Sequence, residues 1–276
     1  MQLVFLAAAC ASIALVAMIC FFLFANGLPT IGKIGVSDFL LGQKWRPNND
    51  IYGILPMIMG SLYVTLGACI TGVPIGILTA IFMARFCPAS VYKFLKPAVE
   101  LLAGIPSGIY GFFGLVVLVP FIRDTFGGTG SSMLTASLLL GMMILPTLIS
   151  VAEAALRAVP DSYYESALAL GAGHVRSVFF TVVPAAKSGI MAAIILGVGR
   201  AIGETMAVIM VAGNQARMPQ GLLEGVRTMT TNIVIEMGYA ADLHRDALIA
   251  TAVVLFIFIM IINLTFYYLK GKVVQQ

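Results

Sequence analysis

The residues best equipped for chemistry stand at Gly199-Arg200-Ala201-Ile202-Gly203-Glu204, a guanidinium and a carboxylate four residues apart within a long apolar run. The run extends from about Ser188 to Gly213. Read as one helix at ~1.5 Å per residue, it places Arg200 roughly twelve residues, or ~18 Å, from either end. That is too deep for the side chain to snorkel out of a ~30 Å hydrocarbon layer. A charge at such depth costs on the order of 3 kcal/mol even on the lenient insertion scale, so a functional role is the first expectation. The guanidinium is a planar fork of donors suited to two oxygens of an oxyanion. Glu204, one helical turn on, would repel that anion if it stood free. The spacing therefore predicts an Arg200–Glu204 pair, which lowers the cost of the buried charge. The alternative is an ion pair that only pins helix packing.

A second candidate is Ala103-Gly104-Ile105-Pro106-Ser107-Gly108-Ile109-Tyr110-Gly111-Phe112-Phe113-Gly114. Glycines and a proline at this density weaken a membrane helix unless neighbours satisfy the backbone or the segment lines a polar cavity. Ser107 and Tyr110 would bring hydroxyls to such a cavity. Other chemistry is not in evidence. His174 and His244 fall on opposite faces of the membrane layout, so no His-based metal or catalytic cluster is expected. Cys10, Cys20, Cys69 and Cys87 lie in or beside apolar runs without metal spacing and read as small hydrophobes. Gly27-Leu28-Pro29-Thr30-Ile31-Gly32-Lys33 has phosphate-loop spacing, but Ile34 stands where Ser or Thr would hold magnesium. It reads as an ordinary loop. No catalytic residue, metal or cofactor is assigned to the chain.

Hydrophobic residues make up 60% of the 276, charged residues 10%, and mean hydropathy is +1.02, which excludes an ordinary soluble domain. Six runs are long enough to span a bilayer, at about Leu3–Ala25, Gly60–Phe82, Ala98–Ile122, Ser131–Val151, Ser188–Gly213 and Ala247–Leu269. The first resembles a signal peptide but lacks a preceding basic residue and is read as a retained span. Arg85, Lys93, Lys96, Arg157, Arg176 and Lys187 occupy the loops after spans two and four, and Lys270 and Lys272 the tail. The opposite side holds seven basic residues in longer loops, matched by seven acids. By the positive-inside rule both termini are cytoplasmic. Gly72-xxx-Gly76, Gly104-xxx-Gly108 and Gly199-xxx-Gly203 are spaced for close helix contact, the last around Arg200.

The loop of residues 153–187 is the most specific feature outside the apolar runs. Asp161 reads as an N-cap, Tyr164 and Leu168 share a face, and the helix should stop near Gly171-Ala172-Gly173. A short amphipathic helix on the cytoplasmic side has the shape of a docking element; the plainer alternative is a helix lying on lipid headgroups.

From Glu165 onward the sequence resembles the coupling motif of ATP-binding-cassette (ABC) importer permeases: Glu-Ala-Ala, three residues, Gly, nine residues, Ile-x-Leu-Pro. Glu165, Ala167, Gly171 and Pro184 fall on it, while Ser166, Thr181 and Val183 depart conservatively. The stretch from Gly199 to Asn214, the Ala103–Gly114 segment and the run Val226–Gly238 are similar to phosphate-importer permeases of the PstC type. The resemblance covers roughly Leu55 to the C-terminus. It implies an all-α integral membrane protein of six transmembrane helices with a cytoplasmic coupling helix. Residues 1–276 would form one permease domain, with 153–187 as coupling loop and 214–245 as periplasmic loop. It further implies residence in the bacterial inner membrane and import of inorganic phosphate. Glu165, Ser166, Ala167, Gly171 and Pro184 would contact a separate ATPase that holds ATP and Mg. The implied partners are a second permease subunit of the PstA type, two ATPase subunits of the PstB type and a periplasmic phosphate-binding protein of the PstS type. Sulfate or molybdate import, or a self-contained secondary anion transporter, are the alternatives.

Overall fold

In a lipid layer an apolar run can satisfy its own backbone only as a helix. Accordingly, helices dominate the computed structural model, which describes residues 1–274 apart from the side chains of 266, 267 and 269–274. The side chains of Lys270 and Lys272, which carry the tail's charge, thus lie outside what is described. The chain opens with α1 (Gln2–Ile34) and the short α2 (Val36–Leu41). A two-stranded antiparallel ribbon follows, β1 (Trp45–Arg46) against β2 (Ile51–Tyr52). Next come α3 (Leu55–Ile81), α4 (Ala89–Gly104), α5 (Ser107–Phe113), α6 (Val119–Phe126) and α7 (Met133–Arg157). Then follow α8 (Asp161–Ala169), α9 (His174–Ser177), α10 (Val183–Ala185), α11 (Lys187–Gly203), α12 (Met206–Val211), α13 (Met229–Met237) and α14 (Asp242–Val274). Wide π turns at Phe82–Phe86, Gly114–Leu118 and Val178–Val182 extend or join their neighbours.

Among the described residues, five helices are long and apolar enough to cross a membrane: Gln2–Ile34, Leu55–Phe86, Ser107–Phe126, Met133–Arg157 and Asp242–Thr265. His174–Ala185 and Lys187–Gly203, bent by 69° at their junction, make a sixth when the bent pair is counted as one span. The third run is not continuous, as Ala98–Ile122 had suggested. Ile105, held extended by the proline that follows it, ends α4, and Pro106 starts α5 without an N–H to lose. Residues 27–33 are not a loop but the last turns of α1. Gly27 lets this helix sit against Ala250 and Val253 of α14, and that packing carries the helix through Pro29.

The core is built around α7, whose Leu139, Leu140, Ile144 and Leu148 are fully enclosed. Lipid is as apolar as leucine, so close contact rather than burial drives such packing. Gly72 and Gly76 of α3 supply it: a Cβ on Gly72 would lie 2.7 Å from the Gly141 carbonyl and 2.9 Å from Ile144. The other two glycine pairs do not behave this way. Around Gly104, Gly108, Gly199 and Gly203 an added Cβ meets nothing within 4 Å. Gly72→Leu is therefore expected to lower stability by about 1–3 kcal/mol or more through overpacking, while Gly104→Ala leaves it unchanged. Thermal denaturation of the purified complex in detergent checks the contrast.

Candidate functional site

Arg200 does not sit at the centre of an unbroken span. It lies in the last turn of α11, and the chain turns extended at Glu204 (φ −70°, ψ 133°) before α12 begins. The guanidinium is half-buried, and its Nη1 donates to the Thr147 hydroxyl of α7 at 3.3 Å. The Arg200–Glu204 pair expected from the spacing is not formed. Because the helix ends at Gly203, Glu204 leaves the face of Arg200, and its Oε1 accepts the Ala207 N–H of α12 at 3.1 Å. Its backbone carbonyl accepts the Thr230 hydroxyl at 3.0 Å. The carboxylate is spent on capping a helix.

The structure thus joins Arg200 to Thr147 and turns Glu204 to another task; no hydrogen bond among the described residues links Arg200 to Tyr110 or Ser107. The Tyr110 hydroxyl donates across the Pro106 break to the Leu102 carbonyl at 2.9 Å. Ser107 stands half-buried at the start of α5, one turn before Tyr110. Glycines seat α5 and the π turn that follows it on α12: a Cβ on Gly111 would lie 2.9 Å from Ala207 Cα, and one on Gly114 2.8 Å from Val211. Thr147 and Thr230 were not singled out from sequence. Thr147 is a lone hydroxyl among apolar residues and Thr230 one of three threonines in a polar stretch, so neither carries a periodic or spacing signal, and the partner of each lies far along the chain.

Residues 214–245 form more than a surface loop. They fold back as α13, whose Met229, Thr230, Thr231 and Asn232 are buried. The Thr228 and Thr231 side chains cap each other's backbone N–H, and the Met229 N–H donates to Ser61 of α3 at 2.9 Å. Glu236, 5% exposed, takes Arg227 Nη1 at 2.6 Å, Trp45 Nε1 at 2.7 Å and faces His244 Nε2 at 2.8 Å. Arg227 in turn donates its Nε to the Asn214 carbonyl at 2.9 Å. A buried carboxylate is tolerated only with such partners.

At the other end of the bundle stands α8. Asp161 is not its N-cap: Pro160 takes that place, and the Asp161 carboxylate pairs with Arg85 at 3.1 Å. Arg85 Nη2 also donates to the carbonyls of Leu156 and Val159, tying the approach to α8 onto the end of α3. The C-terminus of α8 falls where the glycines place it. Gly171 has φ +85°, its N–H donates to the Leu168 carbonyl, and the Ala172 N–H donates to the Ala167 carbonyl, a Schellman closure. Glu165 and Ser166 are exposed on α8, Ala167 is half-buried, and Pro184 is exposed on α10. Behind α8 the buried Glu153 binds the Tyr92 hydroxyl (2.7 Å), Lys96 (3.0 Å) and Arg157 (2.8 Å), fixing α4 to α7. Burial opposes the Lys96 charge, but Glu153 outweighs it and holds the ammonium pKa above the ordinary lysine value.

Residues 72–275 match the family profile described as "Binding-protein-dependent transport system inner membrane component". The "Probable ABC transporter permease protein YqgH" of Bacillus subtilis is 38% identical over 273 residues, covering 96% of this chain and 88% of that protein. The "Phosphate transport system permease protein PstC" of Mesorhizobium japonicum is 35% identical, covering 87% and 80%. Among solved structures, a bacterial alginate ABC transporter in complex with alginate pentasaccharide-bound periplasmic protein contains a chain of the same fold. The TM-score is 0.65 at 15% identity, over 99% of this chain and 97% of that one. A methionine ABC transporter in an inward-facing conformation contains another, at TM-score 0.60 and 20% identity, over 80% and 94%.

Proposed function

The chain belongs to the family of binding-protein-dependent transport system inner membrane components, and from that premise we propose that it is a permease subunit for ATP-driven import of inorganic phosphate. The relatives named for phosphate transport support the substrate. The observation that carries the reading is the state of Arg200. Its guanidinium meets a neutral hydroxyl while the nearest carboxylate in sequence, Glu204, is used elsewhere. A positive charge left uncompensated in an apolar bundle attracts an anion, and the forked donors fit two oxygens of a tetrahedral one. Ser107, and Tyr110 on releasing the Leu102 carbonyl, add weaker hydroxyl contacts.

One Arg cannot satisfy a whole tetrahedral oxyanion, and six helices make a poor passage alone. A related second permease of the PstA type supplies the other half, with two PstB-type ATPases holding ATP and Mg, and a PstS-type binding protein. The chain itself hydrolyses nothing. Both termini face the cytoplasm, which places α8 against the ATPase through Glu165, Ser166, Ala167, Gly171 and Pro184. Copurification with the ATPase, and loss of labelled-phosphate uptake when that ATPase is inactivated, is the expected result. Uptake that continues without it would make the chain a secondary transporter.

A further inference from the structure

We infer that Thr230 is a positioning residue for the passage, fixing where α11 ends and hence how the Arg200 turn is presented. The inference rests on the reading of Arg200 as the oxyanion contact. Six residues are too few for a helix to stand alone, and α12 is held instead at both ends by one segment, residues 226–236. At its start, the Thr230 hydroxyl binds the Glu204 carbonyl, which the break has stripped of a helical partner. At its end, the Val226 N–H donates to the Ala212 carbonyl (2.8 Å) and Arg227 Nε to the Asn214 carbonyl (2.9 Å).

Neither arm of this clamp is loose. Arg227 is locked by the buried Glu236, and Thr230 lies in the first turn of α13 beside the Thr228–Thr231 cap. Through Glu204 the clamp sets the last turn of α11, which holds Arg200. Through α12 it sets the face on which Gly111 seats α5. A lost hydroxyl at residue 230 leaves a carbonyl unpaired where water is scarce, and a local shift of α12 relieves it. Thr230 touches no substrate; it acts through the backbone it holds.

The test compares Thr230→Val, which keeps the shape without the hydroxyl, with Thr230→Ser, which keeps the hydroxyl, each in the assembled complex in vesicles. Amide hydrogen exchange of the segment 204–212 is read beside phosphate transported per ATP hydrolysed. Thr230→Val is expected to speed exchange there at least fivefold and lower the transport ratio at least fivefold, with Thr230→Ser near native in both. A general structural defect would depress uptake and hydrolysis together and leave their ratio unmoved. Native exchange in Thr230→Val, or faster exchange with an unchanged ratio, overturns the inference. Should the native complex take up no phosphate while the two variants still differ in exchange, the phosphate reading falls and the clamp stands.

Discussion

Arg200→Gln abolishes uptake, or lowers it by about a hundredfold, while the complex still assembles: this is the largest effect expected of any single change. Two hydrogen bonds from a charged fork to an oxyanion supply about 3 kcal/mol or more, and each 1.4 kcal/mol is tenfold in rate. Glutamine is two bonds shorter than arginine and uncharged, so the fork and the Thr147 contact are both given up while most of the aliphatic stem keeps its packing at the end of α11. Arg200→Lys is expected to fall between, since an ammonium keeps the charge and loses the fork. Labelled-phosphate uptake in vesicles, normalised to assembled complex, checks both. Native rates in both variants would make Arg200 a packing residue.

The second large effect is at the far end of the bundle. Gly171→Leu uncouples ATP hydrolysis from uptake, with at least a tenfold loss of transport, although the six crossings stay folded. Gly171 stands at φ +85° with open space around its Cβ position, so the penalty is wholly one of backbone conformation, roughly 1–2 kcal/mol. That is too little to unfold the bundle and enough to undo the Schellman closure that shapes the end of α8. A helix can transmit a push only if both its ends are fixed; Arg85 secures one and the Gly171 turn the other. Binding-protein-stimulated ATPase activity and uptake, measured on the same preparation, check the prediction. Unchanged values would reduce α8 to an interfacial helix.

Much of this architecture is legible in the sequence because lipid leaves the backbone so few choices. Apolar runs announce the crossings, Gly72-xxx-Gly76 the tight α3–α7 contact, and Gly171 the end of α8. What escapes is decided by partners distant in sequence. Nothing between Ser188 and Gly213 is a proline, so the run reads as one helix. The break at Glu204 is held by Thr230, 26 residues on, and by a helix cap that only a broken helix can use. The Arg200–Glu204 pair was a sound inference from spacing and failed for that reason alone. Asp161 fits the N-cap rule, but Pro160 already supplies the extended residue before the helix, and Arg85 claims the carboxylate from 76 residues away. At Pro29 the local signal reads as a turn, yet contact of Gly27 with α14 carries the helix through. The Glu236 network was equally hidden, since its acid, Arg, Trp and His come from three separate stretches of chain.

The central claim is that a lone guanidinium in the last turn of α11 serves a phosphate-selective, ATP-driven passage. Its most direct test is uptake into vesicles holding the purified complex, with labelled phosphate, sulfate and molybdate supplied in turn at equal concentration. ATP-dependent accumulation of phosphate, with sulfate and molybdate at least tenfold slower, is the result predicted. Equal or faster uptake of sulfate or molybdate, or phosphate accumulation that needs no ATP, would contradict it.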